Sequence, residues 1–116
     1  MAADDCLFCR IVAGQIPSRR VHEDDQLIAI HDINPRAPTH ILLIPRRHID
    51  SALDLSEADG PLLGRLFAVA ADIARQQGLA EHGYRLVANV GTWGGQTVDH
   101  LHLHLMGGRS FAWPPG

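Results

Sequence analysis

Residues 100–106 read His-Leu-His-Leu-His-Leu-Met, a strict alternation of imidazole and aliphatic side chains. Alternate side chains of a β-strand point to opposite faces, so a strand over Val98–Met106 would carry His100, His102 and His104 on one face. The leucines between them would face a hydrophobic core. We therefore predict a strand with functional histidines on one face and core-packing leucines on the other.

The remaining chain supplies elements that can pack around this strand. A cluster of β-branched residues, Gln26–His31, should pair as a hairpin with Pro17–Glu23 across a tight turn at Asp24 and Asp25. Continuous apolar residues within Thr39–His48 predict a central strand covered on both faces, with Pro45 at a bulge or at the strand end. Other predicted elements are a short helix Cys6–Gly14 capped by Asp4 or Asp5, a long amphipathic helix Leu62–Gln77 introduced by Ser56 and Asp59, and a strand Gly83–Asn89.

Composition restricts the class of protein. The chain has 116 residues, 46% apolar and 20% charged, which predicts a single globular domain over residues 1–116. Its formal charge is −3 and its longest basic runs are pairs of arginines, which argues against a nucleic-acid polymer as partner. The N-terminus lacks a signal-peptide pattern and no segment is long and apolar enough for a membrane span, so we expect a cytoplasmic protein with no membrane partner.

Three histidines on one strand face have two functional interpretations. Alternate imidazoles can bind a metal, or a neutral imidazole can act as a nucleophile while its neighbours stabilise charge. The alternative of solvent-facing or structurally satisfied histidines fits a single histidine better than a row of three.

Cys6 and Cys9, with two residues between them, form half a zinc site, a redox pair or two small buried residues. A four-coordinate zinc needs two more ligands, and His48 and His100 are available at strand ends. If strand 39–48 runs antiparallel to strand 98–106, His48 falls near His100. His40 then falls near the other two histidines of the row.

Two further features are compatible with a phosphorylated ligand. Glycines within Gly91–Gln96 allow close approach to an anion, although such a loop alone is a weak signal. Asp32 is either a turn-capping aspartate or an acceptor for vicinal ribose hydroxyls.

Several motifs together resemble one family. Residues 100–106 match the histidine triad signature. The segments Asn89-Val-Gly, Gly94-Gly-Gln96 and Gly107–Gly116 resemble its Hint branch, the histidine triad nucleotide-binding proteins. So do Ile16-Pro, His31-Asp-Ile-Asn-Pro, Ala37-Pro-Thr-His40 and Ile44-Pro-Arg-Arg-His48. The similarity runs from about Phe8 to the C-terminus.

This resemblance implies an α+β fold, with an antiparallel sheet of about five strands, the long helix on one face and a short N-terminal helix. It implies a homodimer whose sheets join. The implied activity is hydrolysis of purine nucleoside phosphoramidates and aminoacyl-adenylates to a nucleoside monophosphate through a nucleotidyl-histidine intermediate. The chemical step would need no cofactor, because histidines and backbone N–H groups can stabilise phosphoryl charge.

The resemblance also implies roles for individual residues. His102 would be the nucleophile, with His40, His104 and Thr97 completing the catalytic set. Cys6, Cys9, His48 and His100 resemble the ligands of a structural zinc ion. Trp113 would lie near the partner subunit's active site. The implied nucleotide-binding residues are Phe8, Ile16, Ile30, His31, Asp32, Ile33, Leu42, Asn89, Gly95, Gln96, Thr97, His102, His104 and Trp113.

Some residues differ from those of many family members, and three other functions are alternatives to phosphoramidate hydrolysis. Thr97 stands where many relatives have serine, which keeps the hydroxyl and adds a methyl group. Cys6 and Cys9 are absent from many animal members. The alternatives are a nucleotide-binding or protein-interaction module with vestigial hydrolysis, a zinc-dependent hydrolase using the whole histidine cluster, and a dinucleoside polyphosphate hydrolase.

Overall fold

Five antiparallel strands form one sheet in the computed structural model, which describes residues 5–116. The strands are β1 (Arg20–Glu23), β2 (Leu27–His31), β3 (Thr39–Pro45), β4 (Arg85–Val87) and β5 (Leu103–Gly107), and the helices are α1 (Leu7–Val12) and α2 (Gly60–Gln76). Their order across the sheet is β1-β2-β3-β5-β4. Two short 3-10 turns, Ala52–Asp54 and Glu57–Asp59, precede α2. The α+β architecture predicted from the sequence is confirmed.

A single aspartate closes the β1–β2 hairpin. One carboxylate oxygen of Asp24 accepts the N–H groups of Gln26 and Leu27, at 2.7 and 3.0 Å. Its other oxygen accepts from His22 and from Arg65 of α2. Although burial raises the pKa of Asp24, these hydrogen bonds outweigh it and hold that pKa below its usual range. The tight turn predicted here is confirmed, and the same carboxylate ties the hairpin to the long helix.

Strand β3 is the centre of the sheet and is covered on both faces, as predicted. Its residues Ile41, Leu43 and Ile44 are fully buried. One face packs against α2 and contains Leu27, Ala29, Ile41, Leu43, Leu66, Val69, Ala70, Ile73, Leu103 and Leu105. The other face packs against α1 and contains Cys6, Phe8, Ile11, Ile28, Ile30, Leu42 and Ile44. Alternation along each strand therefore divides the side chains between two cores.

Helix α2 has the start and stop that the sequence predicts. The N–H of Ser56 donates to the Asp59 carboxylate at 2.9 Å, and Pro61 lies in the first turn of the helix. Gly78 follows the last turn with a φ of 74°, a conformation that favours glycine. The helix begins at Gly60, two residues before the predicted start, because the capped turn runs directly into it.

The strand predicted over Val98–Met106 is only partly correct. Regular pairing with β3 extends from Thr39 opposite Gly107 to Leu43 opposite Leu103. Pro45 ends β3 and has no N–H to offer, so the ladder cannot continue beside His100. The N–H of His100 instead donates to Val98 within its own segment, at 2.9 Å. The first two histidines of the row therefore precede the strand, and only His104 belongs to it.

One local expectation is wrong. Cys6, not Asp5, caps α1, because its sulfur accepts the Cys9 N–H at 3.3 Å; Asp4 lies outside the described residues. The Trp113 ring is 83% exposed on its own chain. The C-terminal segment is held instead through Phe111, whose ring lies against the guanidinium groups of Arg85 and Arg109. Within residues 5–116, no helix has the length and apolar character needed to span a bilayer.

Candidate active site and metal cluster

A cleft of about 620 Å³ opens between α1, the end of β2 and the histidine row. Its apolar wall contains Phe8, Ile16, Ile30 and Leu42, which lie on the α1 side of the sheet. His102, His104 and Thr97 form its polar end. An apolar wall that faces a few convergent polar groups is the usual form of a small-molecule site.

The environment of His102 defines which of its nitrogens is free. Its Nδ1 lies 2.7 Å from the carbonyl oxygen of His100, and a carbonyl can only accept a hydrogen bond. Nδ1 therefore carries the proton, and Nε2 keeps its lone pair. The ring is 93% buried, since its exposed fraction is 7%, and Phe8 packs edge-on against it with centroids 4.9 Å apart. A buried, oriented and neutral imidazole is a suitable nucleophile.

A chain of hydrogen bonds fixes the other two imidazoles. The Arg36 N–H donates to Nδ1 of His40 at 3.0 Å, so the His40 proton is on Nε2. That Nε2–H lies 2.9 Å from Nδ1 of His104, which therefore accepts. The proton of His104 is then on its own Nε2. The pair leaves one N–H donor on His104 beside the lone pair of His102, whose ring centroid is 5.0 Å away.

All three imidazoles are neutral at neutral pH. Burial lowers the pKa of His104 to about 4, and the nearby His102 and His40 act in the same direction. Burial is also the main cause that lowers the pKa of His40 and of His102, whereas the negative charge of Asp32 raises both. Neutral rings are required for the proton positions described above.

Asp32 makes the turn-capping contact considered for it and also lines the cleft. Its Oδ1 accepts the Asn34 N–H at 2.8 Å, which is a turn-capping contact. Its Oδ2 lies 3.4 Å from Nε2 of His40, and the residue lines the cleft. Asp32, His40 and His104 are close enough together to suggest a metal site. Because the Arg36 N–H occupies Nδ1 of His40, its Nε2 carries the proton and is unavailable as a ligand.

A second cluster lies at the other end of the histidine row. The ligand atoms of Cys6, Cys9, His48 and His100 all lie within 4.8 Å of one another. Nδ1 of His100 is 3.3 Å from Cys6 Sγ and 3.6 Å from Cys9 Sγ, and Nδ1 of His48 is 3.3 Å from Cys9 Sγ. Tetrahedral zinc with ordinary bond lengths separates sulfur and nitrogen ligands by about 3.5 Å. The four residues fit a zinc ion.

The outer nitrogens of both cluster histidines are already bonded. His100 donates Nε2–H to the carbonyl oxygen of Pro45 at 2.7 Å, and His48 donates Nε2–H to Asp50 Oδ1 at 2.6 Å. Both Nδ1 lone pairs are therefore directed to the sulfur side, as in metal sites whose histidines are oriented by outer acceptors. Burial and the adjacent Cys6 raise the pKa of Cys9 to about 11, so a cation is needed to hold that thiol as a thiolate.

The structure brings most of the predicted residues together. The antiparallel pairing of β3 and β5 places His48 beside His100 and His40 beside His104, as predicted. His31, Asp32 and Ile33 line the cleft with the apolar wall, although Ile33 lies at the rim and is 91% exposed.

Four predicted ligand-binding residues do not line the cleft of their own chain: Asn89, Gly95, Gln96 and Trp113. Asn89 contacts the Gly95 carbonyl oxygen at 3.5 Å. Gln96 ties its loop to Gly91, Asp50 and Val98. These contacts shape the glycine-rich loop that carries Thr97.

Sequence reasoning did not identify the residues that supply three polar groups orienting the site. Two of them, the Arg36 N–H and the His100 carbonyl, belong to the main chain and have no side-chain signature. The third, Asp50, could have been found, since it follows the proposed ligand His48 by two residues and carboxylates commonly orient metal-bound histidines.

Comparison with known proteins identifies relatives across nearly the whole chain. A family model described as "Scavenger mRNA decapping enzyme C-term binding" matches residues 5–111. The purine nucleoside phosphoramidase of Escherichia coli strain K12 is 49% identical over 107 residues, which cover 92% of this chain and 90% of that protein. An uncharacterized HIT-like protein of Synechococcus elongatus is 49% identical over 114 residues, 98% of this chain and 99% of that relative.

Solved structures agree with this similarity. A HIT family hydrolase from Legionella pneumophila is 50% identical, with a TM-score of 0.95 over 97% of this chain and 100% of that chain. A Zn-bound histidine triad family protein from Mycobacterium smegmatis is 33% identical, with a TM-score of 0.80 over 93% of this chain and 78% of that chain.

Proposed function

This chain belongs to the histidine triad (HIT) family of hydrolases, and we propose that it hydrolyses purine nucleoside phosphoramidates and aminoacyl-adenylates to nucleoside monophosphates. The observation that carries the proposal is the proton position on His102. Its Nδ1–H is committed to the His100 carbonyl oxygen at 2.7 Å, which leaves Nε2 as a nucleophile at the polar end of an apolar cleft. The Escherichia coli relative, named a purine nucleoside phosphoramidase, supports the choice of substrate.

In the first step, Nε2 of His102 attacks the α-phosphorus and the bond from phosphorus to the leaving group breaks. The imidazole has no proton to lose from Nε2, and the positive charge that develops on the ring is stabilised by the Nδ1–H bond to the His100 carbonyl. The amine must gain a proton as it leaves, and Nε2–H of His104 or the Thr97 hydroxyl supplies it.

In the second step, water attacks the phosphorus of the nucleotidyl-histidine, the P–N bond to His102 breaks and the monophosphate is released. The group that protonated the amine takes a proton from this water, which restores the starting state. Phosphoryl charge is stabilised by the His104 donor and by the Thr97 hydroxyl, which lie together at the polar end of the cleft. Asp32 accepts from the ribose hydroxyls, and the apolar wall contacts the base.

We propose that the Cys6, Cys9, His48 and His100 cluster holds a structural zinc ion. The ion would fix α1 against the segment before β5 and take no part in the chemical step. We also propose a cytoplasmic homodimer. Its support is the edge position of β4 in the sheet and the exposed Trp113, a ring that a partner subunit would cover. Sedimentation velocity tests the dimer, and a monomer at micromolar concentration would contradict it.

Trapping the intermediate tests the function. The protein is mixed with an adenosine phosphoramidate labelled at phosphorus, quenched in alkali to preserve phosphohistidine, and analysed by peptide mass spectrometry. We expect the label on His102 and none in His102→Gln. The matched control is His82→Ala, which removes an exposed histidine from the turn after α2 and should label normally.

The outcomes separate the competing functions. Tight nucleotide binding without turnover of any phosphoramidate or adenylate would favour a binding module. Faster turnover of dinucleoside polyphosphates than of phosphoramidates would favour that hydrolase activity instead. Loss of turnover on zinc removal, with the His102 geometry unchanged, would favour a zinc-dependent reaction.

A further inference from the structure

The cluster and the nucleophile meet at one peptide group, the one that joins His100 to Leu101. Its carbonyl oxygen accepts Nδ1–H of His102 at 2.7 Å. Its N–H, on Leu101, donates to the carbonyl oxygen of Ile49 at 2.6 Å. A trans peptide is planar, with its N–H and C=O on opposite sides, so these two bonds hold the plane from both sides. The direction of the carbonyl, and with it the proton position on His102, depends on where this plane lies.

Both sides of the plane are next to cluster residues. On one side, the His100 ring is fully buried and is fixed by Pro45 through Nε2 and by the two sulfurs through Nδ1. On the other side, Ile49 directly follows His48, whose ring lies between Cys9 and Asp50. The His48 and His100 rings meet edge to face with centroids 4.9 Å apart. A common ion bound by these two histidines would therefore fix both of the segments that hold the peptide.

A third contact leads from the cluster to the nucleophile. Phe8 lies between Cys6 and Cys9 on α1, and its ring packs edge-on against both His100 and His102, with centroids 6.0 and 4.9 Å apart. It is 5% exposed and also forms part of the cleft wall. The position of α1 thus determines the packing on His102 as well as the shape of the substrate cleft.

We infer that the cluster of Cys6, Cys9, His48 and His100 is a positioning device for the nucleophile, acting through the peptide between His100 and Leu101, and is more than a staple for the fold. When the four ligands are joined, the peptide plane is held and His102 keeps its proton on Nδ1. When they are separated, the carbonyl turns, and the His102 proton distributes between the two nitrogens. The catalytic consequence rests on the proposed role of His102, whereas the structural consequence does not.

The test is the tautomer of His102, measured by long-range proton–nitrogen correlation spectra of the 15N-labelled protein. The His102 ring signals are assigned by their absence in His102→Gln. In zinc-loaded protein we expect one form, protonated on Nδ1. In Cys9→Ala and in chelator-treated protein we expect nitrogen shifts averaged between the two tautomers. A folded, zinc-free protein whose His102 remains entirely in the Nδ1–H form would overturn the inference.

A milder pair of variants keeps the test valid if loss of the metal unfolds the chain. Asp50→Ala retains the four ligand residues but removes the acceptor that directs Nδ1 of His48 to the sulfurs, so we expect His48 to separate from the other three ligands. Asp50→Asn retains an oxygen acceptor and should keep His48 in place. We expect averaging of the His102 shifts in Asp50→Ala and recovery of the single form in Asp50→Asn. Identical His102 signals in Asp50→Ala and the unmodified protein would contradict the inference.

Val69→Ala is the control for general destabilisation. Val69 is buried in the α2 core on the opposite face of the sheet and is remote from the cluster. Its truncation should lower the melting temperature and leave the His102 tautomer and kcat unchanged. In Asp50→Ala we expect kcat to fall about 10- to 100-fold with a smaller change in KM, as for other outer groups that orient metal ligands.

The tautomer measurement and the kinetics can disprove the positioning role and the proposed function separately. If no phosphoramidate or adenylate is turned over, the proposed function is wrong, but the tautomer measurement still decides whether the cluster controls His102. If turnover occurs and Asp50→Ala changes neither the tautomer nor kcat, the function stands and the positioning role is wrong.

Discussion

Nε2 of His40 lies 2.9 Å from Nδ1 of His104, and this contact determines which nitrogen of His104 can donate into the cleft. His40→Ala removes the donor, so the His104 proton is free to move to Nδ1 and away from the leaving group. We predict a kcat for an adenosine phosphoramidate about 100-fold lower, the lower end of what a positioned proton donor contributes. Steady-state kinetics provide the measurement.

The matched variants for this prediction are His40→Gln and His82→Ala. A glutamine amide can donate to His104 as the imidazole does, so His40→Gln should recover part of the lost rate. His82 is exposed in the turn after α2, and its removal should leave kcat unchanged. Equal rates in His40→Gln and His40→Ala would show that the donor to His104 is unimportant.

Stability should decrease in mild acid because the site histidines are buried in neutral form. The pKa of His104 is lowered to about 4, below the value of about 6.5 for an unfolded histidine. Between these values the unfolded state binds more protons than the folded state, so the free energy of unfolding falls as the pH falls from about 6.5 towards 4. We predict a contribution from His104 of about 1 to 2 kcal/mol between pH 7 and pH 5.

Urea unfolding at these two pH values measures the effect. His104→Gln lacks the titrating group and should lose less stability on acidification than the unmodified protein. The same loss in both proteins would mean that His104 does not carry this pH dependence.

Side-chain patterns predicted most of the fold and the grouping of site residues. The alternation in residues 103–105 correctly divides Leu103 and Leu105 from His104, and the antiparallel arrangement of two strands correctly pairs His48 with His100 and His40 with His104. These relationships follow from the geometry of a strand, which the spacing of residues determines.

Main-chain interactions were not predictable in the same way. Pro45 ends the ladder, so His100 and His102 lie before β5, where no periodic pattern describes the backbone. The His100 carbonyl and the Arg36 N–H set the proton positions, yet every residue carries such groups. Trp113 is 83% exposed on its own chain, and an aromatic residue in a sequence does not show which surface covers it.

Two glycine substitutions should have opposite effects. A Cβ at Gly94 would collide with the carbonyl oxygen of Val90, so Gly94→Ala must displace the loop that carries Gln96 and Thr97. A Cβ at Gly64, in the interior of α2, meets nothing within 4 Å. We predict a lower melting temperature and about 10-fold lower turnover for Gly94→Ala, a modest loss for a misplaced site. Gly64→Ala should gain about 0.8 to 1 kcal/mol of stability through helix propensity.

Thermal unfolding and steady-state kinetics of both variants test the predicted changes in stability and turnover. Gly64→Ala is also the control for adding a methyl group, and its turnover should match that of the unmodified protein. Normal turnover in Gly94→Ala would mean that the loop conformation has no influence on the site.

Asp32 should distinguish ribose from deoxyribose substrates. In the unmodified protein, Asp32 accepts the Asn34 N–H at 2.8 Å. Asp32→Asn keeps an oxygen that can accept this bond and removes the negative charge that faces the cleft. Loss of a charge-assisted bond to the ribose hydroxyls should raise KM for a ribonucleoside phosphoramidate about 10-fold, equivalent to about 1.4 kcal/mol. The 2′,3′-dideoxy substrate lacks both hydroxyls, so its KM should be high already and should change little on substitution.

Asp25→Asn, in the exposed β1–β2 turn, is the control for loss of one negative charge. An equal rise in KM for both substrates would assign Asp32 to the histidine pair alone, through its 3.4 Å contact with His40.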